Sequence, residues 1–248
     1  MERSPLTMMI FVGILVGGAQ AASFRFLNNC TSTLWVATLA GAGTASLPRT
    51  GFELGSGASA SLKAPPAWSG RFWARTGCAG GSPGSFKCAT GDCGTGKIEC
   101  GGAAGSPPAT LVEVTLGTGG GADFYDVSLV DGFNVPVSVA PRRRGGGCRA
   151  ASCPADVNAA CPSELQVVGS DGTTVVACKS ACDAIGDPVF CCTGEYGGAA
   201  ACRPTVYSEV FKRACPLAYS YAFDDASSTF TCAAAATATA GYLVTFCP

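Results

Sequence analysis

Gly84-Ser85-Phe86-Lys87-Cys88-Ala89-Thr90-Gly91-Asp92-Cys93-Gly94-Thr95-Gly96-Lys97-Ile98-Glu99-Cys100 carries three cysteines and four glycines but only two large apolar side chains, Phe86 and Ile98. So little apolar area cannot close a core of its own. With Cys78 upstream, the stretch reads as a loop excursion over residues 76–107, stapled by disulfides to something larger. Both flanks read as short strands: upstream Phe24-Arg25-Phe26-Leu27, Leu34-Trp35-Val36-Ala37 and Arg71-Phe72-Trp73-Ala74, downstream Thr110-Leu111-Val112-Glu113-Val114-Thr115-Leu116, Phe124-Tyr125-Asp126-Val127-Ser128-Leu129-Val130 and Val135 to Val139. Their period-two alternation and the intervening Gly, Ser and Pro are β-sheet features. The chain closes on another such run, Gly241-Tyr242-Leu243-Val244-Thr245-Phe246. Strands at both ends imply that the termini pair inside one sandwich and that the cysteine-rich segments are inserted between strands. The expected fold is therefore all-β, a flattened sandwich with disulfide-rich lobes carrying short helices. The second lobe covers residues 148–217, with helices expected over Cys178–Ile185 and Ser208–Cys215. In the latter, Ser208 is placed to cap, and Val210, Phe211 and Ala214 share a face.

All 16 cysteines fall between Cys30 and Cys247, and an even count of that size predicts eight disulfides in an oxidising compartment. The amino terminus supports export independently. Arg3, the apolar run Met8 to Val16 and the small residues around Ala19-Gln20-Ala21 read as a secretory leader over residues 1–21, too short to span a bilayer. Its removal leaves about 227 residues, from Ala22 to Pro248, enough for one sizeable core. No later stretch is long and apolar enough to cross a membrane.

The chain has no histidine, which removes Ser-His-Asp triads, Cys-His pairs and histidine-ligated metals; acid-base chemistry has to rest on carboxylates. No metal or cofactor is expected, since a Cys182, Cys191 and Cys192 cluster would oxidise in an exported chain. The net charge of −1 gives no bulk attraction to nucleic acid or anionic membranes. Arg142-Arg143-Arg144 before three glycines reads as a solvated loop, and Ala233 to Gly241 as a low-complexity surface loop. Asn29-Cys30-Thr31 fits the glycosylation triplet, but its middle residue belongs in a disulfide beside a strand.

The Gly84 to Cys100 segment resembles the signature of the thaumatin-like family, with both glycines, Thr90-Gly91-Asp92-Cys93 and Cys100 in register. The resemblance extends along the whole mature chain. It includes Asn28-Asn29-Cys30, Trp73-Ala74-Arg75-Thr76-Gly77-Cys78, Val130-Asp131-Gly132-Phe133-Asn134-Val135-Pro136, Cys191-Cys192-Thr193, Phe211-Lys212-Arg213-Ala214-Cys215-Pro216, Ala218-Tyr219-Ser220-Tyr221 and Val244-Thr245-Phe246-Cys247-Pro248. It implies the pairs Cys30 with Cys247, Cys78 with Cys88, Cys93 with Cys100, Cys148 with Cys232, Cys153 with Cys215, Cys161 with Cys178, Cys182 with Cys191 and Cys192 with Cys202. Spacing alone leaves the connectivity open.

The resemblance also implies an acidic cleft lined by Arg71, Glu113, Asp126, Asp131 and Asp225. Two facing carboxylates are the minimum for glycoside hydrolysis, and Glu113 with Asp126 or Asp131 is the pair to consider. The same oxygens accept hydrogen bonds from sugar hydroxyls, with Phe124, Tyr125, Phe133, Tyr219, Tyr221 and Phe223 as candidates for stacking. The resemblance favours binding of β-1,3-glucan over turnover; the alternatives are a weak endo-β-1,3-glucanase using the cleft carboxylates and an inhibitor of a pathogen hydrolase. Two departures bear on this. Val114 stands where relatives commonly carry an aromatic, which puts one groove contact in doubt. The long Cys161 to Cys178 loop places the chain with the acidic, longer branch, whose lack of basic charge weakens a membrane-permeabilising role. A secreted, apoplastic monomer with a defence role is the overall expectation, and no vacuolar tail follows Cys247-Pro248.

Overall fold

The computed structural model describes residues 21–80, 84–118, 121–142, 148–233 and 241–248. Most of the expected leader (1–20), most of the Arg142–Gly147 run (143–147) and most of the low-complexity stretch (234–240) lie outside the described residues. The strands, in chain order, are β1 (Ala22–Asn28), β2 (Leu34–Ala40), β3 (Gly51–Leu54), β4 (Ser59–Ala64), β5 (Ser69–Arg75), β6 (Leu111–Thr115) and β7 (Ala122–Ser128). They continue with β8 (Val137–Pro141), β9 (Ala151–Cys153), β10 (Gln166–Val168), β11 (Val175–Cys178), β12 (Phe230–Ala233) and β13 (Tyr242–Phe246). The helices are α1 (Ala181–Ile185), α2 (Pro188–Cys191), α3 (Val206–Ala214) and α4 (Asp225–Ser228).

A five-stranded sheet, β4-β1-β13-β8-β9, packs on a six-stranded sheet, β12-β7-β6-β5-β2-β3, and β10 and β11 form a separate hairpin. The two ends of the chain meet in the first sheet, where β1 and β13 run parallel with Phe24 opposite Tyr242 and Phe26 opposite Val244. The Cys30–Cys247 disulfide closes the chain just beyond that pairing.

Alternation in the sequence becomes two-sidedness in the sheets. Phe24 and Phe26 of β1, Phe72 of β5, Val112 of β6 and Val244 of β13 are all buried between the layers. The Phe24 ring lies 4.9 Å from Phe72 and 5.4 Å from Tyr242, so three strands of two sheets share one aromatic cluster. Each such side chain contributes roughly 1.5–3 kcal/mol by leaving water. The other face of the six-stranded sheet holds a smaller cluster. There Ala37, Trp73 and Leu111 lie in one cross-strand row and pack under Cys93, Cys100 and Ala109 of the stapled excursion. Trp73 Nε1 also donates to the Gly91 carbonyl at 2.8 Å, tying the excursion to β5.

The remaining disulfides join Cys78–Cys88, Cys93–Cys100, Cys148–Cys232, Cys153–Cys215, Cys161–Cys178, Cys182–Cys191 and Cys192–Cys202. Both helix expectations need correction. Cys178 ends β11, and the helix after it starts at Ala181, with the Ser180 side chain accepting from the Asp183 N–H. Helix α3 starts at Val206. Ser208 is not its cap: Thr205 caps by accepting from the Ser208 N–H, while the Ser208 hydroxyl accepts from the Thr205 N–H at 2.8 Å. A reciprocal box of this kind satisfies two end donors at once, which a cap at Ser208 would not do. The long Cys161 to Cys178 loop contains the β10–β11 hairpin.

Candidate functional site

Strands β5, β6 and β7 are neighbours, and their register sets Arg71 opposite Glu113 and Glu113 opposite Asp126. Directly paired residues project from the same face about 4.5–5.5 Å apart, so a cation and two carboxyls form one row across three strands. Leu39 of β2 extends that row beside Arg71. The next row on the same face is Ser69, Thr115 and Phe124, with the Ser69 and Thr115 hydroxyls 3.2 Å apart.

Asp131 and Asp225 reach the row from loops. Beyond β7 the Leu129 N–H donates to the Tyr219 carbonyl and the Tyr219 N–H to the Val127 carbonyl, each at 2.8 Å, docking the 219–225 segment on the strand end. Asp131 sits in the turn that follows. Gly132 there has φ +86°, and a Cβ at that position would meet the Cys178 carbonyl oxygen at 2.6 Å, so the turn requires glycine. Buried Asn134 anchors the same turn, donating to the Ala74 carbonyl and Thr90 Oγ1 and accepting from the Thr110 N–H. Asp225 accepts from the Tyr219 hydroxyl at 2.8 Å, and Tyr219 also hydrogen-bonds Thr229. Next to it, Asp224 is fixed by Lys212 Nζ at 2.8 Å and by the Ser220 N–H.

Arg71, Glu113, Asp126, Asp131 and Asp225 therefore line one open cavity of about 390 Å³, with Leu111, Ser128 and Tyr219. A second cavity of about 370 Å³ lies on the other side of the charged row, sharing Arg71, Glu113 and Asp126 and adding Thr115 and Phe124. Sequence reading did not single out Ser69, Thr115 or Ser128. Alternation with Glu113 and Asp126 was the available signal for Thr115 and Ser128.

Desolvation dominates the electrostatics of the row. Burial raises the Asp126 carboxyl to about 8, with the Glu113 charge adding to the rise and Arg71 opposing it. Glu113 and Asp131 are also raised by burial, and Arg71 again pulls the other way. Asp126 Oδ1 is buried without a hydrogen-bond partner, a position in which a neutral carboxyl is far less costly than an ionised one. Arg71 Nε lies 3.6 Å from Glu113 Oε1, and their side chains are 41% and 38% exposed, so the pair adds about 0–1 kcal/mol to stability. The cleft thus sets the Asp126 acid and the Arg71 donors beside the carboxyl oxygens of Glu113, Asp131 and Asp225, a set suited to a ligand rich in hydroxyls.

The aromatic candidates separate cleanly. Phe124 is 50% exposed and lines the cleft, while Tyr125 and Phe133 are buried in the core. Tyr219 is engaged with Asp225, and Tyr221 and Phe223 are half-buried. Val114 corrects an expectation: its side chain belongs to the core on the opposite face from Glu113, so an aromatic there would enlarge the core rather than contact a ligand. Among the described residues no group of three or more His, Cys, Asp and Glu side chains is arranged to hold a metal ion, and no helix is long and apolar enough to cross a membrane.

A sandwich of this topology, stapled by eight disulfides, matches the sequence model of the thaumatin family over residues 28–248, and the chain belongs to that family. Among curated relatives it is 56% identical to thaumatin-like protein 1 of Pyrus pyrifolia, over 93% of each chain. It is 54% identical to a Prunus avium protein named glucan endo-1,3-beta-glucosidase, covering 94% of this chain and 93% of that one. A laminaripentaose-producing β-1,3-glucanase solved with laminaritetraose shares the fold, with a TM-score of 0.59 at 14% identity over 91% of this chain and 98% of that one.

Proposed function

We propose that this protein is a secreted plant defence protein that binds β-1,3-glucan of fungal walls through the acidic cleft. The observation that carries the reading is the Arg71–Glu113–Asp126 row, in which two carboxyl groups and a cation share one open groove with the exposed Phe124 ring. Hydroxyl-rich chains need donors and acceptors in alternation and an apolar surface for a sugar face, and the row supplies both. The leader-like start and the eight disulfides fit export to the apoplast.

Hydrolysis is the second reading, supported by the name of the Prunus avium relative and by the raised Asp126 carboxyl. Turnover needs an acid and a nucleophile or base flanking the scissile bond. Glu113 and Asp126 project side by side from adjacent strands, so a flanking pair would have to include loop-borne Asp131 or Asp225.

Incubating the oxidised protein with insoluble β-1,3-glucan separates the readings. Retention without release of reducing sugar, lost in a Glu113→Ala, Asp126→Ala double variant, is the expected outcome. Carboxylate-dependent release would establish a glucanase. Absence of retention would sink the glucan reading and leave inhibition of a pathogen hydrolase as the function to pursue.

A further inference from the structure

Each of the two large sheets ends in an outer strand on either side, whose backbone groups on one edge face no partner strand. Charges at Glu53 and Lys63 blunt β3 and β4 against pairing with a foreign strand, and β9 is only three residues long. β12 is longer than β9 and carries no such charge. Phe230-Thr231-Cys232-Ala233 has no proline either, pairs on one side with β7, and makes no backbone hydrogen bond to any other described residue.

An open cavity of about 390 Å³ adjoins this strand and shares no residue with the two cavities of the charged row. No residue of β7 lines it, so it opens on the free side of β12. Buried Phe230 and half-buried Leu217 form its apolar part, and Ser227, Thr231 and Arg149 stand exposed around them. The backbone of Arg149 is held from two sides: Cys148 is bridged to Cys232 of β12, and the Tyr125 hydroxyl donates to the Arg149 carbonyl. The guanidinium lies 5.8 Å from the Phe230 ring centre, and among the described residues no hydrogen bond or ion pair engages it. No carboxylate lines the cavity, and Asp224, which accepts from the Ser227 hydroxyl, is already paired with Lys212. A free strand edge, an apolar floor and an unpaired cation thus meet at one place.

We propose that this groove binds an extended peptide segment of another protein, added as a strand to β12 with a carboxylate against Arg149. Main-chain hydrogen bonds to the edge supply the affinity in such additions, and the neighbouring side chains supply the selectivity. Arginine meets a carboxylate with two parallel hydrogen bonds, which selects acidic over basic peptides. The four residues of β12 span about 13 Å, room for about four residues of the added strand. No residue of the charged row takes part, so this site stands or falls independently of glucan binding.

Titration of the oxidised full chain with two pools of capped peptides of about seven residues tests this, with NMR amide shifts and amide exchange as the readout. One pool is drawn from valine, threonine and glutamate, the other from valine, threonine and lysine. The acidic pool should shift and protect the amides of Phe230 to Ala233, shift that of Arg149, and bind at least about tenfold more tightly than the basic pool. Arg149→Glu, at an exposed position, should reverse that preference and leave any retention on insoluble β-1,3-glucan as it was. Backbone N-methylation of the acidic pool should abolish the protection, because strand addition needs those amides. Failure of both pools to perturb β12, a preference unmoved by Arg149→Glu, or equal binding of the methylated pool would each overturn the proposal. Shifts at β12 that grow with protein concentration in the absence of peptide would assign the edge to a second copy of this chain. A uronate oligosaccharide that binds there as tightly as the acidic pool would assign the cavity to an acidic sugar, and either result displaces the peptide.

Discussion

Strand β5 places two arginines on the same face of the six-stranded sheet, four residues apart and in opposite environments. Arg75 is fully buried, with Nε donating to the Trp35 carbonyl at 3.2 Å and a terminal nitrogen donating to the Ile98 carbonyl at 2.6 Å. Its guanidinium also lies 5.2 Å from the Phe86 ring centre, and desolvation lowers its pKa to about 10 against the opposing pull of Asp92 and Glu99. Arg71 is 41% exposed and faces Glu113 across an open cleft. What differs is cover. The stapled excursion roofs the Arg75 end of the face, held by Cys78–Cys88, Cys93–Cys100 and the Asp92 carboxylate, which accepts from the Cys88 and Gly94 N–H groups at 2.6 Å. Where the roof stops, at the row after Trp73, the same alternation that elsewhere buries side chains leaves charged groups half in water. One sheet face thus serves as core at one end and as binding surface at the other.

Removing Arg75 should break the covered end. Arg75→Ala removes the donors to the Trp35 and Ile98 carbonyls and opens a cavity beneath Phe86, and the expected loss is about 3–5 kcal/mol in chemical denaturation. A loss below about 1 kcal/mol would show that the roof is held by its disulfides alone. Cys93→Ser with Cys100→Ser should cost less, about 2 kcal/mol for the short loop it closes, and should expose Trp73 to a fluorescence quencher. A Trp73 that stays shielded would mean the excursion holds its position through Trp73 and Asp92 contacts without that bridge.

The two ends were unequally legible in the sequence. Alternation marked Glu113, Asp126 and their neighbours as strand residues, and the scarcity of apolar residues between Cys78 and Cys100 marked the excursion as dependent on a larger body. The pairing of β5 with β6 and of β6 with β7 is a long-range choice that no local pattern encodes, and only that register turns three separate residues into a row. Period two also says that Phe124 and Tyr125 point to opposite faces without saying which is outside; packing of Tyr125 against Phe230 and Tyr242 decides it. The cavity beside β12 gave no local signal, because its walls come from segments as distant as Arg149, Leu217 and Phe230. Helix α3 was misplaced by its cap because serine is favoured both at the cap and at the third position of a capping box, and here it takes the latter.

At the open end, pH should act through Asp126. Its folded pKa of about 8 lies above the ordinary 3.8, so between these values the folded protein holds a proton that the unfolded chain has lost. This contribution to stability is fully present below pH 3.8, declines as pH rises through the window, and is gone above about 8. Asp126→Asn removes it. The melting temperature of the variant should gain on that of the parent as pH rises through this window. A variant that instead loses ground toward alkaline pH would contradict a buried, neutral Asp126.

The smallest effect on stability should come from Arg71, and it is the most informative about the row. The exposed ion pair with Glu113 contributes little, so Arg71→Gln should change unfolding by less than about 1 kcal/mol. Its charge nevertheless opposes the raised pKa of Glu113, Asp126 and Asp131 together. Losing it should move all three carboxyls further upward, with Asp126 titrating above its value of about 8, as carboxyl infrared or NMR titration would register. Upward movement of the three, with a loss of stability well below that of Arg75→Ala, is the behaviour of a cation placed for charge balance in an open cleft. A fall in stability comparable to that of Arg75→Ala, with the carboxyls unmoved, would instead make Arg71 a second structural arginine and erase the distinction between the two ends of the face.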